Sequence, residues 1–168
     1  MDIREQSYKY CPNCKTELKR KLRDNVSRIC CSNCDFIFWN NPRPVVSVVI
    51  HKDEEVLMLK RAKEPFKEYW VLPGGYINVE ETPEEAVSRE VKEEANIEIR
   101  LEKLIGVYRI DDDPRGINID IIYSAKSKGS IALSSEDSEF KYYKSNSLPE
   151  LIAYKHREAI EDWSKLKL

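Results

Sequence analysis

Residues 75–97 read GYINVEETPEEAVSREVKEEANI and carry seven glutamates in a stretch that also has the pattern of an α-helix. Thr82 stands before Pro83 and three residues before Glu85, as expected for an N-cap, a proline in the first turn and a capping box. Four apolar residues follow at helical spacing and predict a face that packs on a core, namely Ala86, Val87, Val91 and Ala95. Any fold of this chain must therefore compensate the negative charge of this helix.

Three of the glutamates, Glu90, Glu93 and Glu94, lie at positions i, i+3 and i+4 and share one side of the predicted helix. Like charges at i,i+4 repel by roughly 0.2–0.5 kcal/mol per pair unless a cation or a basic partner lies against them. Carboxylate oxygens suit Mg²⁺ or Mn²⁺, which also bind substrate phosphates. On the triplet alone, a solvated acidic surface is the simpler interpretation.

The neighbouring residues favour a binding site instead. Pro73-Gly74-Gly75 predicts a loop whose backbone can approach a ligand or adopt positive φ. Glu81 lies eight residues before Arg89, and we expect these two side chains to pair and anchor the loop to the helix. The acidic helix and the glycine loop therefore predict one site.

The complete pattern resembles the Nudix box. Its positions are Gly75, five residues, Glu81, seven residues, Arg89-Glu90-Val91, one residue, and Glu93-Glu94. The one departure is Asn96, where the family usually has glycine, and because asparagine also tolerates a left-handed helix terminus we expect a small stability penalty and intact chemistry. The resemblance includes Trp70-Val71-Leu72-Pro73 and the preceding hairpin, and it covers roughly residues 44–165.

The resemblance implies an α/β fold, the Nudix α/β/α sandwich around a mixed sheet, and hydrolysis of a nucleoside diphosphate linked to another moiety. It implies that Glu90, Glu93 and Glu94 bind catalytic Mg²⁺ or Mn²⁺, with a backbone carbonyl at Gly74 or Gly75 as a further ligand. Glu81 and Arg89 are then partners that hold the motif together, and Arg89 is also included among the expected catalytic residues.

The general base is open between Glu94, Glu93 and Glu139, the last in a predicted loop that also contains Glu136. An exposed loop charge is the alternative interpretation of Glu139. Asp120 lies on a predicted strand, where a solvent-facing position is favoured over one that points to the site.

The residues after the box favour some candidate substrates over others. The Ser-Gln-Pro-Trp-Pro-Phe-Pro type of signature of the NADH pyrophosphatase branch is not found, whereas 111–116 is similar to loops of ADP-ribose pyrophosphatase-like members. We expect ADP-ribose or a related sugar-linked nucleoside diphosphate first, NADH second and oxidised nucleoside triphosphates third. Arg115 is a candidate phosphate contact and Tyr108 or Phe66 a candidate for base stacking, with surface charge and core packing as the alternatives.

Two C-x2-C pairs precede this region, with sixteen residues between them. Their four thiolates, from Cys11, Cys14, Cys31 and Cys34, predict a closed structural Zn²⁺ site in a zinc ribbon. Cys30 does not fit the spacing, and a metal-free or disulfide-bonded cluster is the alternative. Prolines and an Asn pair at 40–44 predict a boundary between a ribbon at 1–43 and a Nudix domain at 44–168.

Several further elements follow from hydrophobic patterning. We expect strands at 45–50, 56–61, 98–108 and 117–125 and a helix within 148–166. His51 and His156 have no neighbour at metal-ligand spacing and are interpreted as incidental. The basic run Lys19-Arg20-Lys21-Leu22-Arg23 is interpreted as a solvated hairpin face, with contacts to nucleic acid or to the phosphates of a substrate as the alternative.

The chain has 168 residues, of which 41% are hydrophobic and 35% charged, as in a folded protein without a membrane span. Its N-terminus has no signal-peptide pattern, so we expect a cytoplasmic protein. The expected partner is a small-molecule nucleotide rather than nucleic acid or a membrane, and the family resemblance leaves a homodimer open. A module that senses nucleotides or binds nucleic acid without catalysis is the alternative class.

Overall fold

The computed structural model describes residues 8–166, so most of the N-terminal segment to which the signal-peptide prediction applies lies outside the described residues. The chain forms two compact units. The first runs to Pro42 and includes Pro114–Gly116, and the second comprises Arg43–Asp113 and the chain from Ile117 onward. The sequence pattern contains no signal that assigns 114–116 to the first unit.

The first unit contains an antiparallel three-stranded sheet. Strands β1 (Lys19–Arg23) and β2 (Val26–Cys30) form a hairpin, and β3 (Ile37–Phe38) pairs with β2. Asp24 and Asn25 make the hairpin turn with φ of 49° and 60°, a left-handed conformation that Asp and Asn tolerate better than most residues.

The second unit contains a mixed sheet of seven strands, in which five are ordered β10-β5-β4-β9-β8 while β6 pairs with β5 and β7 with β4. Strands β4 and β9 run parallel, and the other pairs are antiparallel. The strands are β4 (Arg43–Lys52), β5 (Glu55–Arg61), β6 (Trp70–Val71), β7 (Gly74–Tyr76), β8 (Glu98–Ile110), β9 (Asn118–Lys128) and β10 (Asp137–Lys144). The four predicted strands are confirmed as β4, β5, β8 and β9.

One helix covers each face of this sheet, as the expected sandwich requires. Helix α1 (Pro83–Ala95) packs its buried residues against Val46, Val48 and other side chains of one face. Helix α2 (His156–Lys165) packs against the opposite face, where Val49 and Met58 are fully buried. Because alternate residues of a strand point to opposite faces, β4 supplies both cores. No helix within residues 8–166 is long and apolar enough to cross a membrane.

The predicted ends of α1 are confirmed. The Thr82 hydroxyl accepts a hydrogen bond from the Glu85 amide at 3.3 Å, and the Glu85 carboxylate accepts one from the Thr82 amide at 2.9 Å. Asn96 ends the helix with φ 55° and ψ 28°. The left-handed residue expected at the departure from the Nudix box is therefore present.

The C-terminal helix is shorter than its apolar spacing predicted. Residues before His156 extend beside β6 instead, since Trp70 donates to the Leu151 carbonyl at 2.9 Å and accepts from the Ala153 amide at 3.1 Å. Tyr154 then has φ of 60°, which is incompatible with a right-handed helix. Pairing with a distant strand therefore replaces the first turns of the predicted helix.

Candidate active site

The segment Pro73-Gly74-Gly75, predicted to be a loop, instead contributes Gly74 and Gly75 to strand β7, and this segment, called the glycine loop below, meets helix α1 beside β4. Strand β7 pairs Gly74 with Ser47, and a Cβ on Gly74 would overlap the Val46 carbonyl oxygen. A Cβ on Gly75 would lie about 2.5 Å from the Glu90 carboxylate. The two glycines thus allow the loop to approach both the sheet and the helix.

Arg89 connects the acidic side chains of this region. Its Nε and Nη2 donate to the two carboxylate oxygens of Glu81 at 2.6 and 3.0 Å, which confirms the expected pair. Its Nη1 donates to Glu90 at 2.8 Å and to Glu93 at 3.2 Å, while Nη2 also donates to the Tyr76 carbonyl at 3.0 Å. Hydrogen bonds from Arg89 and from a backbone amide lower the pKa of Glu81 to about 2.

The three box glutamates have different surroundings. The Glu90 side chain is 15% exposed and that of Glu93 is 60% exposed. Glu94 accepts a hydrogen bond from the Gly74 amide at 3.0 Å, which joins the loop to α1. Desolvation raises the pKa of Glu90 and raises that of Glu94 well above its ordinary value. Burial therefore makes it costly for Glu90 and Glu94 to remain ionised.

Asp137 is a candidate site residue that the sequence pattern did not indicate. It begins β10 and is 8% exposed, and its Oδ2 has no hydrogen-bond partner among residues 8–166. Burial raises its pKa to about 6. Its charge is, after burial, the largest influence that raises the pKa of Glu94. The loop before it is held to α1, because the Ser134 amide donates to the Glu94 carbonyl at 2.9 Å.

Glu139, the loop candidate from the sequence, lies within β10 rather than in a loop. Its carboxylate is 53% exposed and lies 3.9 Å from the Lys60 ammonium. Glu136 contributes to the raised pKa of Glu94, although its own side chain is exposed and lies 3.4 Å from Lys63. The acidic run at 136–139 indicates that a carboxylate lies here. Which of its acidic residues is buried depends on the strand register, and that residue is Asp137.

The carboxylate set fits a divalent cation. Glu90, Glu94 and Asp137 are all partly or fully desolvated, and each has a raised pKa. Desolvated carboxylates that repel one another are stabilised by a hard cation. Within the described residues, only the four cysteines already bring three or more ligand atoms within 4.8 Å of one another. The glutamates are oriented by Arg89 and the loop amide instead.

A buried polar network lies behind the loop. Asp120, expected to face solvent, is 2% exposed, because α2 covers the face of β9 on which it lies. Its Oδ2 accepts a hydrogen bond from the Ser47 hydroxyl at 3.0 Å and lies 3.4 Å from His156 Nε2. His156 Nδ1 accepts a hydrogen bond from the Leu72 amide at 2.9 Å. His156 is therefore not incidental, since it connects α2 to Leu72, which lies between β6 and the glycine loop.

His51 is also engaged. Its Nε2 lies 2.7 Å from the Glu102 carboxylate, and its ring packs against Trp163 at 5.0 Å between centroids. Glu102 lies on β8, which β9 separates from β4 in the sheet, so the residues near His51 in the sequence do not indicate this contact.

The three candidate substrate contacts have different surroundings. Tyr108 is buried in the core beside α2, where its hydroxyl donates to Asp162 at 3.0 Å, so packing accounts for it. Phe66 is half-buried and packs edge-to-face with Tyr69 and Tyr154. Arg115 is exposed and belongs to the first unit.

The first unit brings the four predicted cysteines together. Their sulfur atoms all lie within 4.8 Å of one another, with Cys14 Sγ 3.4 Å from Cys31 Sγ and Cys11 Sγ 3.5 Å from Cys34 Sγ. Cys30 is outside the group, and its sulfur faces the Arg28 carbonyl at 3.7 Å. Four converging thiols fit the tetrahedral site that Zn²⁺ requires.

A family model, described as the NUDIX domain, matches residues 41–164. The chain belongs to the NUDIX hydrolase family. An ADP-ribose pyrophosphatase from Methanocaldococcus jannaschii is 38% identical over 129 residues, which is 76% of each chain. The NAD-capped RNA hydrolase NudC from Photorhabdus laumondii is 34% identical over 95 residues, covering 56% of this chain and 36% of that one.

The NUDIX fold is also seen in solved structures. A NUDIX hydrolase from Nitrosomonas europaea superposes with a TM-score of 0.81 at 24% identity and covers 94% of this chain and 91% of its own. At that identity the likeness concerns the fold alone. The superposition covers 94% of this NUDIX chain, so it extends into the cysteine-containing unit.

Replacing Asp137 by asparagine should change stability in a pH-dependent manner. Because its pKa rises from 3.8 to about 6 on folding, stability falls as pH increases between these values, and the penalty is complete above them. Without divalent metal, Asp137→Asn should increase the free energy of unfolding at about pH 7.5 by on the order of 1–2 kcal/mol, and change it little below about pH 4. Urea unfolding at both pH values measures this, with exposed Glu139→Gln as control. Equal effects at both pH values would contradict it.

Replacing His156 should disturb both the core and the loop. His156→Ala leaves the buried Leu72 amide without its acceptor, so we expect a loss of about 1–3 kcal/mol in the free energy of unfolding and a lower kcat. His156→Asn, whose amide oxygen can take the place of Nδ1, should lose less of both. Urea unfolding and steady-state kinetics test this against exposed Glu158→Ala, and equal losses in all three variants would rule out the acceptor role.

Proposed function

We propose that this protein hydrolyses the diphosphate linkage of ADP-ribose, or of a related nucleoside diphosphate joined to a sugar, and releases AMP and a sugar phosphate. The observation that carries the proposal is the set of desolvated carboxylates of Glu90, Glu94 and Asp137 beside the Gly74-Gly75 loop. The similarity to the M. jannaschii ADP-ribose pyrophosphatase supports this choice of substrate, since it extends over 76% of each chain.

Mg²⁺ or Mn²⁺ is the proposed catalytic cofactor, held by Glu90, Glu93, Glu94 and the backbone carbonyl of Gly75. When bound, such a cation neutralises the charge of a diphosphate and makes water more acidic. Hard carboxylate oxygens and a backbone carbonyl are ligands that both ions accept.

The side chains of this protein then have distinct tasks. Water attacks one phosphorus, the bridging oxygen leaves with the electron pair of the broken bond, and the proton of the water must pass to a carboxylate. Glu94 and Asp137 form the proposed proton-accepting pair, because both are desolvated and the charge of Asp137 raises the pKa of Glu94. Glu93, which is mostly exposed, and Glu139 are weaker candidates on this geometry.

Arg89 serves this reaction as a positioning residue. All three of its guanidinium nitrogens donate to groups of the protein, namely three glutamates and the Tyr76 carbonyl. We therefore assign it the task of orienting Glu81, Glu90 and Glu93 rather than that of binding phosphate.

NADH is the second candidate substrate, since it also contains a diphosphate attached to adenosine. The similarity to NAD-capped RNA hydrolases supports it, although the chain spans 36% of the P. laumondii relative. Oxidised nucleoside triphosphates rank third. A nucleotide sensor without catalysis is the alternative class, and product release distinguishes it from all three.

Glu94→Gln should retain the fold and lower turnover of ADP-ribose by about 10²–10⁴-fold, because it removes a proton acceptor and an anionic ligand. Chromatographic measurement of AMP release in Mg²⁺, in Mn²⁺ and in chelator tests this, with NADH and an oxidised nucleoside triphosphate in parallel. Glu98→Gln, the same chemical change on an exposed residue of β8, is the matched control. Near-normal turnover by Glu94→Gln would exclude Glu94 from the mechanism.

We also propose that residues 1–43 form a structural zinc ribbon attached to a hydrolase domain at 44–168. Cys14→Ser should lose the metal and destabilise the first unit, because three thiolates bind Zn²⁺ more weakly than four. Cys30→Ser should retain one zinc per chain, since Cys30 lies outside the sulfur cluster. Elemental analysis of both purified variants measures the stoichiometry. Unchanged zinc content in Cys14→Ser would contradict the proposed site.

A further inference from the structure

We propose that the three-stranded sheet of the first unit binds single-stranded RNA through a row of cations and the indole of Trp39. The alternation of strand β1 places Lys19, Lys21 and Arg23 on the same face of the sheet. The β1–β2 register places Arg28 directly opposite Lys21 on that face. This surface, here named the cationic face, is independent of the proposed catalytic reaction.

The charge of the cationic face is uncompensated. Within residues 8–166, Lys19, Lys21, Arg23 and Arg28 have no carboxylate partner. Like charges that lie directly opposite each other on neighbouring strands are destabilising, as Lys21 and Arg28 are here. An anionic ligand would remove this repulsion.

Trp39 adds a stacking group at the end of β3. Its side chain is 48% exposed, and the Arg28 guanidinium lies 4.6 Å from the ring centroid. Arg28 Nη1 also donates to the Trp39 carbonyl at 3.1 Å, so the cation and the backbone of Trp39 are held together. A stacked and hydrogen-bonded pair of this kind presents both an aromatic plane and a positive charge.

A pocket of about 220 Å³ opens beside this pair. It is smaller than the roughly 300–1,000 Å³ of sites for drug-sized ligands, so it suits a single planar base rather than a dinucleotide. Arg28 and Asn40 line it together with Arg20 and Ser27, which by strand alternation lie on the opposite face of the sheet from Lys21. The remaining lining is apolar and comes from Val26, Ile29, Phe38 and Trp39.

The arrangement favours a single strand of nucleic acid over an isolated phosphate. Alternate residues of β1 lie about 6.6 Å apart, so the cations form an extended row that a chain of phosphates can follow. Aromatic stacking beside a positively charged track is the means by which proteins hold unpaired bases. The amide of Asn40, next to Trp39, can bond a ribose 2′-hydroxyl, which favours RNA over DNA.

This proposal adopts the alternative interpretation of the basic run 19–23, and it departs from the expectation that nucleic acid is not a partner. The basic run 19–23 alone did not show that three of its cations share a face with Arg28. Nor did it show that Trp39 is exposed next to them. The strand register and the burial of each side chain supply that information.

Fluorescence anisotropy of the full-length protein with a labelled oligouridine of about 12 nucleotides tests the proposal, in buffer without Mg²⁺ or Mn²⁺ so that no cleavage occurs. At about 50 mM salt we expect a Kd tighter than about 10⁻⁴ M. The logarithm of affinity should fall with the logarithm of salt concentration by about 0.7 for each phosphate contacted. Oligothymidine and a duplex RNA of the same length should bind more weakly.

Lys21→Glu should weaken binding and flatten the salt dependence, because it removes one cation and reverses its charge. Lys128→Glu makes the same change on an exposed position of β9 and should have no such effect. Trp39→Ala should weaken binding about tenfold to a hundredfold and Trp39→Phe much less, since phenylalanine can still stack. Circular dichroism and zinc content verify that each variant is folded.

Absence of binding tighter than about 10⁻⁴ M by the wild-type protein would overturn the proposal. Equal effects of Lys21→Glu and Lys128→Glu would overturn the assignment to the cationic face. If Trp39→Ala fails to fold, Lys21→Glu and Trp39→Phe carry the test. Equal affinity for oligothymidine would overturn the preference for RNA.

Discussion

The interaction on which the site depends is the set of hydrogen bonds from Arg89. One guanidinium binds both oxygens of Glu81 and also reaches Glu90, Glu93 and a loop carbonyl. It thereby compensates part of the repulsion among glutamates that share one side of α1, and it fixes the loop before the helix relative to the helix itself. A planar donor with five N–H groups can do this, whereas a lysine would offer one point charge.

Glycines and buried polar groups extend this control into the sheet. Gly74 can lie against β4 because it has no Cβ, and its amide holds Glu94 in place. On the other face of the sheet, His156 holds the Leu72 amide while Asp120 and Ser47 lie beside it. Leu72, just before the loop, is thus bonded to a residue of α2, and Gly74 in the loop is bonded to a residue of α1. Such support keeps desolvated carboxylates close together although their charges repel.

Local patterns in the sequence predicted much of this structure. Three features depend on spacings that can be recognised directly in the sequence. They are the caps of α1, the Glu81–Arg89 pair and the four-cysteine cluster. The burial of Asp120 could not be predicted in this way, because alternation defines two faces of a strand without showing which of them a helix covers. Asp137 was missed since its position depends on the register of β10 against β5, and the first turns of the predicted C-terminal helix were replaced by pairing with Trp70.

The central claim is that the carboxylates beside the Gly74-Gly75 loop gather a divalent cation for work on a diphosphate. Anomalous diffraction from crystals grown with Mn²⁺ and a non-hydrolysable methylene analogue of ADP-ribose tests it most directly. The account predicts manganese in contact with Glu90 and Glu94 and with the diphosphate of the analogue. Manganese located elsewhere, or an analogue bound away from these carboxylates, would contradict it.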